Sequence, residues 1–260
     1  MLVKNRVDLS NGEEVKALIA SKDWSNSTKS TVVAAYNKYA SLNGIKWIPP
    51  RYEKTKKLPF IPLEKEIDDL IAYCGRKTST ILQLLKETGM RIGEALDLEW
   101  TDVDFERNTI LLNTPGKHGN ARGFEMSDKL QSMLKRLPKR DSVVFGKKSK
   151  HSVICNFSRQ RKFAAIKLSN PRLLKIHFHT FRHWKATMEY QRTKDILYVM
   201  RMLGHKSIQN TLVYTQMVQF KKEEYISATA STIEDAQKLV ESGFEYVTEI
   251  DGVKLFRKRK

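Results

Sequence analysis

Four stretches of this 260-residue chain carry side chains that could act together on an anion. Thr88-Gly-Met-Arg-Ile-Gly-Glu-Ala-Leu96 sets Arg91 just after a glycine turn and at the start of a short helix. There its guanidinium and the first helical amides could face one negative charge. Lys117 follows Gly116 at the tip of a hairpin-like pattern, where a loop could carry it into a groove. His179 and Arg182 are three apart and so share one face of a helix. His205 follows a helix end at Leu203-Gly204, and Tyr214 lies nine residues beyond it. Arginine suits a phosphate clamp because its planar fork binds two oxygens and keeps its charge. A phenol can form a covalent intermediate, and lysine or histidine can move a proton. These are the parts that phosphodiester exchange without a metal needs, with fixed cations around a transition state that gathers charge on the non-bridging oxygens.

Each part also has a plainer reading. With 6 His and 16 Arg in the chain, about 0.4 His-x-x-Arg pairs are expected by chance. Arg91 and Glu94 could be a surface ion pair. Lys117 could be a solvated turn lysine, and Lys129 and Arg122 are nearby alternatives for its role. Tyr214 sits beside Ile208, Leu212 and Val213, as a buried core tyrosine would. His177, His179 and His183 invite a metal reading, but no Glu or Cys completes a ligand set.

The elements that must position these residues are mainly helical. Ser10-x-x-Glu13 reads as a capping box ahead of Val15, Leu18 and Ile19. A second helix follows Ser25–Ser27 with Val32, Val33, Tyr36, Tyr39 and Ala40 on one stripe, ending at Asn43-Gly44. The stretch Trp47 to Pro59 is rich in proline and basic residues, lacks periodicity, and reads as a linker. Pro62 opens a further helix, another runs near Thr80–Thr88 and stops at Gly89, and helical stripes return around 130–137, 157–169, 180–190 and 195–203. Thr109–Asn113 and Gly123–Met126 flank the Gly116-Lys117 turn as a hairpin. After Tyr214, a helix near 232–241 leads to two strand-like runs around Asp251-Gly252, a favoured type I′ turn. The expected organisation is a helical module over 1–50, a linker over 51–62, a catalytic domain over 63–215 and a helix-plus-hairpin tail over 216–260. The fold class is mainly α with a small antiparallel β-sheet.

Charge points to a class of partner. Lys+Arg number 47 against 29 Asp+Glu, a net charge of +18, which favours a polyanion whose counterions are released on binding. Residues 1–62 carry 11 basic and 5 acidic side chains, and residues 63–215 carry 28 and 16. Residues 216–260 balance at 8 and 8, so the basic surface covers the first two segments and the tail differs from them. No run of 18 apolar residues is present, which excludes a transmembrane helix, and no signal-peptide pattern is visible at the N-terminus. The 2 cysteines, far apart, are too few for a disulfide framework or a cysteine zinc site, so a reducing cytoplasm is the simplest home.

In order and spacing, the four stretches resemble the tyrosine recombinase (phage integrase) family. That family's first box, Thr-Gly-hydrophobic-Arg-x-x-Glu-Ala-Leu-x-Leu-x-Trp-x-Asp-hydrophobic-Asp, is matched by residues 88–104. Its Gly-Lys hairpin is Gly116-Lys117, followed by the usual basic position at Arg122. The second box is His179-Thr-Phe-Arg182-His183-Trp-Lys-Ala186-Thr187, and the third runs from Leu203-Gly-His205 through Ser207, Ile208 and Thr211 to Tyr214. The resemblance covers about residues 60–215. It implies that Arg91, Arg182 and His205 hold the scissile phosphate, that Lys117 protonates the leaving 5′-oxygen, and that His179 assists proton transfer. Tyr214 is then the nucleophile of a 3′-phosphotyrosine intermediate, with no metal and no cofactor.

The resemblance further implies site-specific recombination of double-stranded DNA, in the cytoplasm at the nucleoid, by a homotetramer on two duplexes. The family's front helical domain is usually about a hundred residues, against some 60 before Leu63 here, so the module is either reduced or begins late. Its segment after the nucleophile commonly docks on a neighbouring protomer, and the neutral tail suits that role or a fold on its own domain. A mobile-element integrase is favoured by the unusual front and tail. A Xer-like resolvase is compatible with the same boxes. A type IB topoisomerase shares the clamp and tyrosine but not the third-box pattern, and an inert DNA-binding regulator would have lost one of the six positions.

Overall fold

The computed structural model describes residues 2–53, 58–116, 119–217, 225–250 and 252–259. Two compact units divide the chain, Met1–Leu58 and Pro59–Lys260.

The first unit is built on two helices, α1 (Gly12–Ser21) and α2 (Asn26–Leu42). Asn11, not Ser10, caps α1: its Oδ1 accepts from the Glu13 and Glu14 amides at 3.1 and 3.3 Å. Ser10 is instead held by Asp8, whose Oδ1 accepts from both its amide and its hydroxyl. Helix α2 starts where the serine cluster placed it, with Ser25 Oγ accepting from the Thr28 amide at 3.2 Å. Val15 and Ile19 of α1 close on Val32, Val33, Tyr36 and Ala40 of α2, while Tyr39 stays outside. The expected linker is narrower than its composition suggested. Trp47 meets the Tyr36 ring edge-on at 4.6 Å, and the Tyr52 and Glu53 carbonyls accept from Ser30 and Asn26. A Cβ on Gly12 would lie 2.6 Å from Trp47 Cβ, so glycine is what admits the tryptophan there. Phe60 and Ile61, also expected as linker, pack on the core of the second unit.

That second core is centred on α4 (Arg76–Thr88), in which Ile81, Leu82, Leu84 and Leu85 are all buried. Four apolar residues within little more than one turn give α4 more than one buried face, so it is enclosed by α3 (Glu64–Tyr73), α6 (Asp128–Lys135) and α8 (Phe178–Thr193). Each such side chain contributes roughly 1.5–3 kcal/mol by leaving water. Helix α3 begins at Glu64 rather than Pro62, with Glu66 Oε2 accepting from the Leu63 amide at 2.8 Å. Helix α4 ends at Gly89, whose φ of +64° turns the chain towards α5 (Ile92–Leu96). The small sheet is antiparallel in the order β1-β2-β3: β1 (Val103–Asp104), β2 (Thr109–Leu112), β3 (Arg122–Glu125). Helix α7 (Lys150–Lys167) starts earlier than its stripe implied because Ser149 caps it. The unit continues through α8, α9 (Ile196–Leu203) and two 3-10 turns, Ile208–Asn210 and Leu212–Gln216.

The tail carries its own sheet. Strands β5 (Glu245–Ile250) and β6 (Val253–Arg259) form the expected hairpin, with Gly252 at φ +79°; Asp251 lies outside the described residues. The expectation of a helix and hairpin alone is corrected by a further strand, β4 (Tyr225–Ala230), which pairs along β6 to give the order β4-β6-β5, with α10 (Ile233–Glu241) packed beside it. Its sequence, Tyr-Ile-Ser-Ala-Thr-Ala, has small and polar residues and no strong alternation, and its pairing with β6 supplies what its pattern lacks. Among the described residues, no helix is long and apolar enough to cross a membrane.

The capping geometry predicts that Asn11→Ala lowers stability by about 1 kcal/mol, and that Ser10→Ala costs distinctly less. Urea denaturation followed by the fluorescence of Trp24 and Trp47 in the first unit measures both.

Candidate active site

Arg91 is the N-cap of α5, and its surroundings are set by Glu94 one turn later. Glu94 Oε2 accepts from the Arg91 amide at 2.8 Å and Oε1 accepts from Arg91 Nη1 at 2.8 Å. The pair is not a surface one. The Glu94 side chain is 1% exposed, and its Oε2 also accepts from Arg122 Nη2 at 2.8 Å. Burial pushes the Glu94 carboxyl up, but the Arg91 amide, the Arg122 charge and the Arg91 guanidinium outweigh it and hold the group below the usual carboxylate range. The Arg91 amide, expected to face an anion, is therefore spent on Glu94, and its guanidinium is the part left to meet one.

Arg122 reaches this site from β3. Its Nη1 donates to the Leu203 carbonyl at 2.6 Å, and Arg182 Nη2 donates to the same oxygen at 2.6 Å. Arg182 Nη1 donates to the Gly89 carbonyl at 2.8 Å. A guanidinium from α8 is thus anchored by the C-terminal carbonyls of both α4 and α9, where the helix dipoles favour positive charge. Arg182 is 1% exposed, and burial followed by the charges of Arg91 and Arg122 lowers it to about 10, so it remains protonated at neutral pH. Gly204 makes this possible. Its φ is +65°, and a Cβ there would lie 1.8 Å from Arg122 Nη1.

His205 leaves the end of α9 by that glycine turn, and its Nδ1 lies 2.9 Å from Thr211 Oγ1. Burial, then Arg182, Arg91, Arg122 and His179, lower it to about 4, so the imidazole is neutral in the molecule without an anion. His179 is exposed on α8, with its ring edge-to-face with His183 at 4.5 Å. Tyr214 lies in the 3-10 turn Leu212–Gln216, is 2% exposed, and packs with Ala186, Val199 and Leu203. Its hydroxyl is 3.1 Å from His183 Nδ1. Burial raises the Tyr214 phenol above its ordinary value, and the Arg182 charge opposes that rise.

The structure therefore brings together Arg91, Arg182, His179, His205 and Tyr214, while Lys117 lies outside the described residues. Four contributors escaped the sequence reading of roles. Glu94 was weighed as a surface partner, Arg122 as an alternative to Lys117, His183 as one of three histidines inviting a metal, and Thr211 only as a motif position. Their signals were present as residue types, but each acts on a partner from another element. Of the three histidines that invited a metal, His177 Nδ1 faces Arg161 Nη1 at 2.8 Å and His183 faces Tyr214, so two rings are taken up by protein partners.

A model of the phage integrase family matches residues 63–219. The chain belongs to that family. The integrase-family stretch holds all six candidate residues together with Glu94, Arg122 and His183, and it ends before β4. Tyrosine recombinase XerA of Saccharolobus solfataricus is 28% identical over 200 residues, covering 72% of this chain and 65% of that protein. Tyrosine recombinase XerC of Chlamydia muridarum is 30% identical over 202 residues, 72% and 60% of the two chains. The aligned region thus spans less than two thirds of these relatives. Among solved structures, the Tn1549 transposon integrase with transposon right end DNA superposes with a TM-score of 0.61 at 19% identity, over 92% of this chain and 86% of that one. A lambda integrase dimer bound to a COC′ core site gives 0.62 at 15% identity, over 82% and 83%. At these identities the likeness is one of fold, and the mainly α class with small antiparallel sheets agrees with it.

Two measurements follow from the site. Glu94→Ala leaves Arg91 and the buried Arg122 without their carboxylate, and is expected to cost about 3–5 kcal/mol in urea denaturation. His183 and His205 take up protons on unfolding at a pH where the folded chain keeps them neutral. Stability is therefore complete above about 6.5, the ordinary imidazole value, and falls as pH drops towards 4. A thermal-melting series across that window should show a positive slope of stability with pH of up to about two protons, reduced in His205→Gln.

Proposed function

We propose that this protein is a site-specific DNA recombinase that cleaves and rejoins double-stranded DNA through a 3′-phosphotyrosine intermediate. The observation that carries this reading is a buried phenol, Tyr214, set beside a cluster of arginines anchored by one carboxylate and two helix-terminal carbonyls. Arg91 and Arg182 would fork onto the non-bridging oxygens of the scissile phosphate, and their fixed positions would stabilise the charge gathered in the transition state without reorganisation. His205, neutral and held by Thr211, would add a ring N–H donor. His179 would assist proton transfer from the exposed end of α8, and Lys117 would protonate the leaving 5′-oxygen. Tyr214 would attack and conserve the bond energy for rejoining, so neither metal nor cofactor enters. The Xer names of the relatives and the transposon and lambda integrase likenesses favour this class over a relaxing enzyme.

The charge asymmetry supports the partners of this reading. The helical module over 1–50 and the catalytic stretch would bind DNA, whereas the neutral tail would dock on a neighbouring protomer in a homotetramer acting on two duplexes. The place of action would be the cytoplasm, at the nucleoid.

The test is a nicked duplex carrying a candidate attachment site, incubated with the protein in EDTA and resolved on a denaturing protein gel. A slow-migrating covalent adduct is expected from the native sequence and none from Tyr214→Phe. Adduct formation by Tyr214→Phe would move the nucleophile to another tyrosine, and cutting seen only without EDTA would replace the whole scheme with a metal-dependent one.

A further inference from the structure

Among the described residues, the titratable side chain hydrogen-bonded to the phenol that must lose a proton is His183, not the histidine that the motif points to. His183 Nδ1 lies 3.1 Å from the Tyr214 hydroxyl, with ring centroids 5.8 Å apart at 55°. His179, one turn earlier, meets the His183 ring edge-to-face. We propose that His183 is a catalytic residue of the strand-exchange reaction: it holds the Tyr214 hydroxyl in place and accepts its proton at the moment of attack. This rests on Tyr214 being the nucleophile.

The charged and titratable groups facing His183 are Tyr214 from the 3-10 turn and His179 and Arg182 from its own helix. Burial first, then His179 and Arg182, lower the imidazole to about 4. At neutral pH it is therefore uncharged, and Nδ1 is the acceptor when Nε2 carries the proton. A bound phosphate places a negative charge beside Arg182, offsets that repulsion and makes the imidazole more basic only when DNA is present. Tyr214 Oη bonds to phosphorus, the bond from phosphorus to the 5′-oxygen breaks, the phenol proton passes to His183 Nδ1, and the 5′-oxygen takes the proton assigned above to Lys117. Rejoining runs the same transfers in reverse. Thr187 Oγ1 donates to the His183 carbonyl at 2.9 Å within α8, so the backbone that carries the ring is an ordered helix.

Asparagine places an amide near the position of Nδ1, so His183→Asn can keep the contact to the phenol but has no basic site. Single-turnover adduct formation on the nicked duplex is measured from pH 6 to 9 for the native chain and His183→Asn, with Tyr214→Phe as control. A second duplex carries sulfur in place of the bridging 5′-oxygen, which leaves without an acid. The expected result is a loss of about 100-fold at neutral pH on both duplexes, with a rate that climbs with pH in His183→Asn but is nearly flat in the native chain. A rate within a few fold of native with the same pH profile overturns the proposal. Rescue of His183→Asn by the sulfur duplex also overturns it, since the imidazole would then act on the leaving group. An adduct that persists in Tyr214→Phe fails the nucleophile assignment instead, which separates the two readings. Imidazole ¹⁵N spectra of the folded native chain and of Tyr214→Phe need no change at His183. The His183 Nδ1 resonance is expected to move when the phenol hydroxyl is lost, and an unchanged resonance overturns the contact itself.

Discussion

Three arginines within reach of one another repel, and out of water that repulsion is poorly screened. The site exists because Glu94 sits among them. Its buried carboxylate binds Arg91 and Arg122 at once, and the Leu203 carbonyl then joins Arg122 to Arg182. The result is a single network drawn from α5, β3, α8 and the end of α9. A phosphate arriving there would meet cations whose positions are already set, which is the condition under which electrostatic stabilisation costs no reorganisation.

The rest of the second unit can be understood as support for that network. Helix α4 is enclosed by α3, α6 and α8 and ends at Gly89, whose carbonyl is an Arg182 acceptor. Helix α9 ends at Gly204, whose lack of a Cβ lets Arg122 pass, and the same turn delivers His205. Core packing and site geometry are therefore one problem here. A shift of α4 against α8 would move the Gly89 carbonyl relative to Arg182.

The same burial sets the protonation states. Arg182 is buried yet stays charged at neutral pH, whereas the His183 and His205 rings give up their protons to the combined effect of burial and nearby arginines. Burial raises the Tyr214 phenol above its ordinary value, and the Arg182 charge opposes that rise. An anion entering the cluster would offset the repulsion from the arginines that helps keep the two imidazole rings uncharged.

Much was legible in the chain itself. Residue type and order were enough to recognise the three boxes and the Gly-Lys turn by their resemblance to the family. Helices with strong caps and stripes, such as α2 after Ser25 and α4 up to Gly89, followed from local propensity, as did the β5–β6 hairpin. Other features depend on partners far along the chain. Ser10 and Asn11 both fit a cap, and Asp8 decides between them by binding Ser10. Trp47 and Tyr52 read as linker because their neighbours lack periodicity, yet they pack on α2 through contacts that no period records. Strand β4 acquires its identity from β6. The burial of Glu94 and the meeting of His183 with Tyr214, 31 residues apart, arise only when α5, β3, α8 and the final 3-10 turn converge. Sequence determined which chemical groups this protein has and in what order. Tertiary structure decided which of them touch, because burial and hydrogen-bond partnership are properties of the space between elements and not of the elements themselves.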